Sequence, residues 1–173
     1  MKIAVISLNN RGAQLAAALV AFVDSAEVFL HATVTALPEA RRFRRIAELT
    51  RDIFPRYQGL VYVAPIGVVV RAVAPCIRHK TSDPAVVVVD VGARWAVSLL
   101  SGHEGGANQL AMTVANALGA EPVISTTTEA SKDLIVGVGC RRGAATDAIV
   151  AAVREALSLA GCDSANVRML ASA

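Results

Sequence analysis

The chain has 173 residues, 54% of them hydrophobic but only 4% aromatic, so its core must be built from Ala, Val, Leu and Ile. That bias suits buried parallel strands covered by Ala-rich helices. A formal charge of +3 and a pI near 9.0 lean mildly toward anionic partners and fall well short of a nucleic-acid footprint.

Strand and helix patterns alternate along the chain. Residues 2–7 form a β-rich run, followed by Asn9-Asn-Arg-Gly12 and a helix over about 13–22. Residues 27–31 read as a second strand, and residues 38–45 as a polar, basic connection. The run Arg41-Arg-Phe-Arg-Arg45 reads as a solvated helix face leading into a helix with Ile46, Leu49 and Ile53 on one side, ended near Pro55. A third strand covers 60–63, and a helix over 66–73 begins just past Ala64-Pro65. After a polar loop at 76–84, residues 85–91 and 95–99 are strands joined by a short Gly-containing turn, a hairpin signature. Residues 106–118 form the clearest helix, with Leu110, Val114 and Ala117 on one face and Gly119 as its C-cap. Residues 122–124 are a strand and 125–128 a polar turn. The texture then restarts with a strand at 134–140, a helix at 146–159 with Thr146 as N-cap, and a run at 164–170 heading toward another strand.

This order predicts an α/β fold: an open, mostly parallel three-layer sheet with an antiparallel hairpin, plus a short terminal βα unit. The expected domains are 1–131 and 132–173. Such sheets bind ligands beyond the carboxyl ends of their strands. The turns after Ser7, Val63, Leu100 and Ile124 are therefore expected on one edge, and they hold most of the unusual residues.

Three cysteines, Cys76, Cys140 and Cys162, show no metal spacing, and their odd number argues against a disulfide framework. The longest apolar run, 59–70, is broken by Pro65 and falls short of the ~20 residues of a membrane span. The expectation is a soluble, reduced, cytoplasmic protein without nucleic-acid or membrane partners.

The segment Ser101-Gly-His-Glu-Gly-Gly-Ala-Asn108 sits between a strand and a helix. Such a turn aims backbone N–H groups and a positive helix end at a ligand. Gly102, Gly105 and Gly106 permit close approach of that ligand, and His103 can take or give a proton near neutrality. Asn108 can orient His103 or a carbonyl. Ser101 joins them as a candidate catalytic group, although residues two apart rarely form a nucleophile–base pair and no G-x-S-x-G elbow is present. Gly67 with Arg71 forms a second anion-binding candidate, with Arg71 either pointing back to the edge or snorkelling. Lys80 and Asp83 stand out in the loop Arg78-His-Lys-Thr-Ser-Asp-Pro84, and Thr126 and Thr127 could bind carboxylates. Gly137-Val-Gly139 lacks the spacing and the downstream acid of a dinucleotide fingerprint. No zinc, iron–sulfur or P-loop spacing is present in the sequence.

Taken together, Val63-Ala-Pro-Ile-Gly-Val-Val-Val-Arg71, Lys80-Thr-Ser-Asp-Pro-Ala-Val-Val-Val-Val-Asp90, Leu99-Leu-Ser-Gly-His-Glu-Gly-Gly-Ala-Asn108 and Pro122-Val-Ile-Ser-Thr-Thr127 resemble, in order and spacing, the amino-terminal domain of the CbiG family. These are the cobalt-precorrin-5A hydrolases of anaerobic cobalamin biosynthesis. Leu134-Ile-Val-Gly-Val-Gly-Cys-Arg-Arg-Gly143 resembles the start of the family's carboxy-terminal domain. Two departures are expected: the middle segment that often separates the two domains is absent, and the second domain is a shortened start. The resemblance implies hydrolytic opening of a ring A δ-lactone on a cobalt-containing tetrapyrrole, giving cobalt-precorrin-5B and acetaldehyde. It also implies no cofactor, since the cobalt belongs to the substrate, and other corrin-pathway enzymes as partners. His103 is then the expected general base or acid, with backbone N–H groups at 105–107 stabilising the oxyanion. Two rivals stay open: a non-catalytic corrinoid-binding module that needs its carboxy-terminal half, and a generic nucleotide-binding α/β domain.

Overall fold

A computed structural model describes residues 1–23 and 25–172, which form two compact units divided between Ile124 and Ser125. The division falls a little before the expected boundary at 131/132.

The first unit runs β1 (Ile3–Ser7), α1 (Asn10–Val20), β2 (Ala26–His31), β3 (Arg41–Phe43), α2 (Ile46–Ile53), β4 (Gly59–Val63), α3 (Ile66–Val73), β5 (Ala85–Val89), β6 (Trp95–Leu100), α4 (Ala107–Leu118) and β7 (Glu121–Val123). The strands form one sheet in the order β3-β2-β1-β4-β5-β6-β7. Alternate strand residues divide between two apolar layers. Val5, Val61, Val63, Val87 and Val89 pack with Leu19 of α1 and with Leu110 and Val114 of α4. Ile6, Leu60, Tyr62, Val86 and Val88 pack with Ile53, Phe54, Val69 and Val73 on the side of α2 and α3. Because both faces are covered, β5 reads Ala-Val-Val-Val-Val without polar alternation and is wholly buried. Each such valine contributes about 1.5–3 kcal/mol relative to exposure. The buried hydroxyls of Thr50 and Tyr62 satisfy each other at 2.9 Å.

Strand direction decides where the site lies. The pairs β1–β2, β1–β4, β2–β3 and β4–β5 are parallel. The β5–β6 pair is antiparallel, with Val86 opposite Leu100 and Val89 opposite Ala96, and β7 runs parallel to β6. The hairpin turn is fixed by Asp90, whose carboxylate accepts from the N–H groups of Gly92, Arg94 and Trp95 at 2.8–2.9 Å. Burial pushes the Asp90 carboxyl up, but donation from Trp95, Gly92 and Arg94 outweighs it and holds the group below its ordinary value. The hairpin was expected; its consequence corrects the expectation of a single ligand edge. After the reversal, β6 ends at the edge where β5 begins. The turns after Ser7 and Val63 lie on the carboxyl edge of the parallel strands, and the turn after Leu100 lies on the opposite, amino edge.

The basic run at 41–45 also differs from expectation. It forms an edge strand rather than a helix face: Phe43 is buried while Arg41 pairs with Glu27 at 3.2 Å. Arg42 donates to the carbonyls of Val34, Ala36 and Leu37. Charged residues on an outermost strand also block edge-to-edge pairing.

The second unit contains α5 (Thr127–Ala130), β8 (Leu134–Val138), α6 (Thr146–Leu159) and β9 (Val167–Ser172). The two strands pair in parallel, so the expected βα unit is closed by a second strand. The predicted polar turn at 125–128 runs into the short helix α5. Thr146 is the first residue of α6 and Ala145 occupies the cap position. Among the described residues, no helix is long and apolar enough to cross a membrane.

Candidate active site

The antiparallel hairpin brings together two loops distant in sequence: residues 77–84, which lead into β5, and residues 101–106, which follow β6. The second loop is closed by its own backbone. The Ser101 carbonyl accepts from the N–H groups of Gly105 and Ala107, each at 3.1 Å, and the Gly102 carbonyl accepts from Asn108 at 3.0 Å. Ser101 itself lies in the left-handed region at φ 58°, a conformation that costs an L residue on the order of 1 kcal/mol. Its hydroxyl is buried with no hydrogen-bond partner among the described residues. Glycine is required at position 105, since a Cβ there would come within 2.4 Å of the Ser101 Cβ and 3.2 Å of the Asp83 carbonyl oxygen. Gly106 takes φ 84° as the chain turns into α4.

Between the loops lies a polar cleft of about 600 Å³, walled by Tyr57, Gln58, residues 81–84, Glu104 and Gly105. Across its mouth the Lys80 ammonium donates to the Glu104 carboxylate at 2.6 Å. That bond holds the Glu104 carboxyl below the ordinary carboxylate range and the Lys80 ammonium above its own. His103 is exposed beside Glu104, and no protein atom among the described residues hydrogen-bonds its ring. Both ring nitrogens are therefore open to a ligand or water.

The amino edge thus collects Ser101, Gly102, His103, Gly105, Gly106, Lys80 and Asp83. Gly67 and Arg71 lie elsewhere: Gly67 opens α3 on the carboxyl edge, and the Arg71 guanidinium folds back to the Gly67 carbonyl at 2.9 Å. The reversal at β6 separates this pair from His103. Thr126 and Thr127 belong to the second unit, at the start of α5.

Three expected roles change with the geometry. The N–H groups of Gly105 and Ala107 are committed to Ser101, which leaves Gly106 as the donor of that trio with no internal acceptor among the described residues. Asn108 is buried against β6, where its carboxamide oxygen accepts from the Ser98 hydroxyl at 2.8 Å, so it anchors the helix start. Asp83 is also buried, and its carboxylate accepts from the backbone N–H of Arg78 at 2.9 and 3.2 Å. It holds the loop that presents Lys80. Sequence reasoning missed Glu104 and Tyr57. Glu104 pairs with a lysine 24 positions away, and the signal that would have found it is the hairpin, which sets the loops on either side of it next to each other. Among the described residues, no cluster of three His, Cys, Asp or Glu side chains converges to hold a metal ion.

The comparisons with known proteins fall on this same region. Residues 48–129, which contain both loops, match the family model described as Cobalamin synthesis G N-terminal, and residues 134–173 match Cobalamin synthesis G C-terminus. The chain belongs to the CbiG family. Over 86 residues, 50% of this chain, it is 45% identical to a cobalt-precorrin-5A hydrolase of Salmonella typhimurium. Over 94 residues, 54% of this chain, it is 44% identical to that of Priestia megaterium. The matches take in 24% and 25% of those proteins, so this CbiG chain matches about a quarter of the length of its curated relatives. The crystal structure of a cobalamin biosynthesis protein G homolog from Sulfolobus solfataricus shares the fold, with a TM-score of 0.56 and 16% identity, over 98% of this chain and 73% of that one.

Proposed function

We propose that this CbiG chain opens the ring A lactone of cobalt-precorrin-5A by hydrolysis and releases the two-carbon unit as acetaldehyde. The observation that supports this most directly is His103: an imidazole with no hydrogen-bond partner among the described residues, held on a glycine-built turn beside a polar cleft, within the segment that matches the family model. Hydrolysis of a lactone needs a base to draw a proton from water as its oxygen attacks the carbonyl carbon. His103 meets that requirement without having to break a hydrogen bond first. The Gly106 N–H and the Lys80 ammonium are the donors on this edge for the oxygen that gains charge. Collapse of the tetrahedral adduct breaks the acyl C–O bond, giving a carboxylate and a free hydroxyl.

The second stage needs a proton removed from that hydroxyl. Its oxygen then forms the C=O of acetaldehyde while the C–C bond to the macrocycle breaks. The electron pair passes into the conjugated ring, which takes up a proton. His103 carries the proton across both stages. The ion pair with Lys80 keeps Glu104 charged, so its carboxylate stabilises the imidazolium formed in between.

The test is to incubate the 173-residue chain with cobalt-precorrin-5A and follow acetaldehyde through NADH consumption by alcohol dehydrogenase. The expected result is one acetaldehyde per substrate consumed. Binding of the tetrapyrrole without acetaldehyde release would overturn the hydrolase reading in favour of a binding module.

A further inference from the structure

A second cleft, of about 430 Å³, lies beside the first and shares Pro55, Ser82 and Asp83 with it as common walls. Its lining includes two arginines: Arg51, from the last turn of α2, and Arg78, from the loop leading into β5. Two other cations near this edge are matched. Lys80 is paired with Glu104, and Arg56 with Asp52 one helical turn away. Among the described residues, neither Arg51 nor Arg78 has an ion-pair partner. Asp83 is the anion in the same wall, but its two carboxylate oxygens accept from the backbone N–H of Arg78 and so fix the loop that carries that arginine. The end of α2 favours one positive charge at Arg51. It does not account for a second arginine in the wall of the same hollow.

We infer that Arg51 and Arg78 form a carboxylate subsite that grips a side-chain acid of the tetrapyrrole while its lactone lies in the neighbouring cleft. The inference rests on the proposed function for the size and charge of the ligand. A flat macrocycle edged with acetate and propionate groups is larger than a drug-sized pocket of 300–1,000 Å³ is built to enclose. A neighbouring cleft that shares a wall offers a place for what overhangs. Guanidinium groups match carboxylates in a planar, two-point geometry. Two of them fixed on different elements set the rotation of the ring plane, and with it which lactone carbonyl faces His103. Arg51 and Arg78 are thus positioning and specificity residues rather than catalytic ones.

Two measurements on the full chain decide the matter. The first is an NMR titration with propane-1,2,3-tricarboxylate, following the side-chain Nε–H signals of Arg51 and Arg78 against sodium chloride at matched ionic strength. Saturable shifts in the parent, absent in the R51Q/R78Q double variant, are expected; shifts no larger than those with chloride overturn the subsite whatever the enzyme does. The second is steady-state acetaldehyde release. R51Q and R78Q are each expected to raise KM about five- to tenfold with kcat within about twofold, and R51K/R78K to recover part of the loss. An unchanged KM in the double variant overturns the inference while leaving the proposed function intact. A parent chain that shows saturable tricarboxylate shifts but no turnover removes the proposed function and leaves the anion subsite standing.

Discussion

Replacing Gly105 by alanine tests the packing of the His103 turn most sharply. The new Cβ would lie 2.4 Å from the Ser101 Cβ and 3.0 Å from its carbonyl oxygen, well inside van der Waals contact. Ser101 cannot step aside cheaply. It is 7% exposed, already at positive φ, and its carbonyl is held by two N–H groups. The other neighbour, the Asp83 carbonyl oxygen, is backbone. Overpacking of this kind costs about 2–3 kcal/mol. Trp95, the single tryptophan, sits on β6 and reports unfolding of the first unit by fluorescence. With a urea m-value of about 2 kcal/mol/M, the midpoint of G105A should fall by about 1 M. Gly67 supplies the control within the same unit: its added Cβ would meet only the mobile end of Arg71 at 3.3 Å. Alanine is a better helix former than glycine, so G67A should hold or raise the midpoint. If G105A unfolds within about 0.2 M of the parent, the turn is not packed as described.

Two further substitutions probe the frame of the site. Ser101→Ala removes a buried hydroxyl that has no partner, so it should stabilise the first unit by about 1 kcal/mol in the same urea assay; a clear loss would mean the hydroxyl is bonded. Asp90→Asn weakens a three-donor cap on the hairpin turn and should cost about 1–2 kcal/mol. The Asp90 carboxyl is held below the ordinary carboxylate value. Its contribution is therefore full above that value and is lost as pH falls through the lowered one. Unfolding midpoints measured from pH 6 downward should show D90N with a flatter acid limb than the parent, and an identical slope would refute the role given to Asp90.

Much of the fold is legible in the sequence because its signals are local. The valine run at 86–89, the glycine after α4 and the Leu110–Val114 spacing each specify an element without reference to the rest of the chain. Edge strand β3 was hidden because three residues carrying two arginines hold too little apolar pattern; Phe43 and the hydrogen bonds of Arg42 become meaningful only once β2 is beside them. The site was half legible. The glycine and histidine motif marks itself, but its position depends on strand direction. Treating every turn after a strand as facing one edge ignored the reversal that the Asp90-Val-Gly-Ala93 turn imposes on β6. The same reversal explains why the Lys80–Glu104 pair could not be read from spacing and why Arg71 is far from the histidine.

The central claim is that the chemistry belongs to the amino edge, at His103, and not to the carboxyl edge, at Gly67 and Arg71. The most direct measurement compares kcat/KM for acetaldehyde release from cobalt-precorrin-5A by the parent, H103A and R71A, each confirmed as folded by circular dichroism. Removing the proposed general base should lower H103A by about 10²–10⁴-fold, while R71A should stay within about twofold of the parent, a change of under 0.5 kcal/mol. Parent-like turnover by H103A, or a collapse confined to R71A, would contradict the assignment.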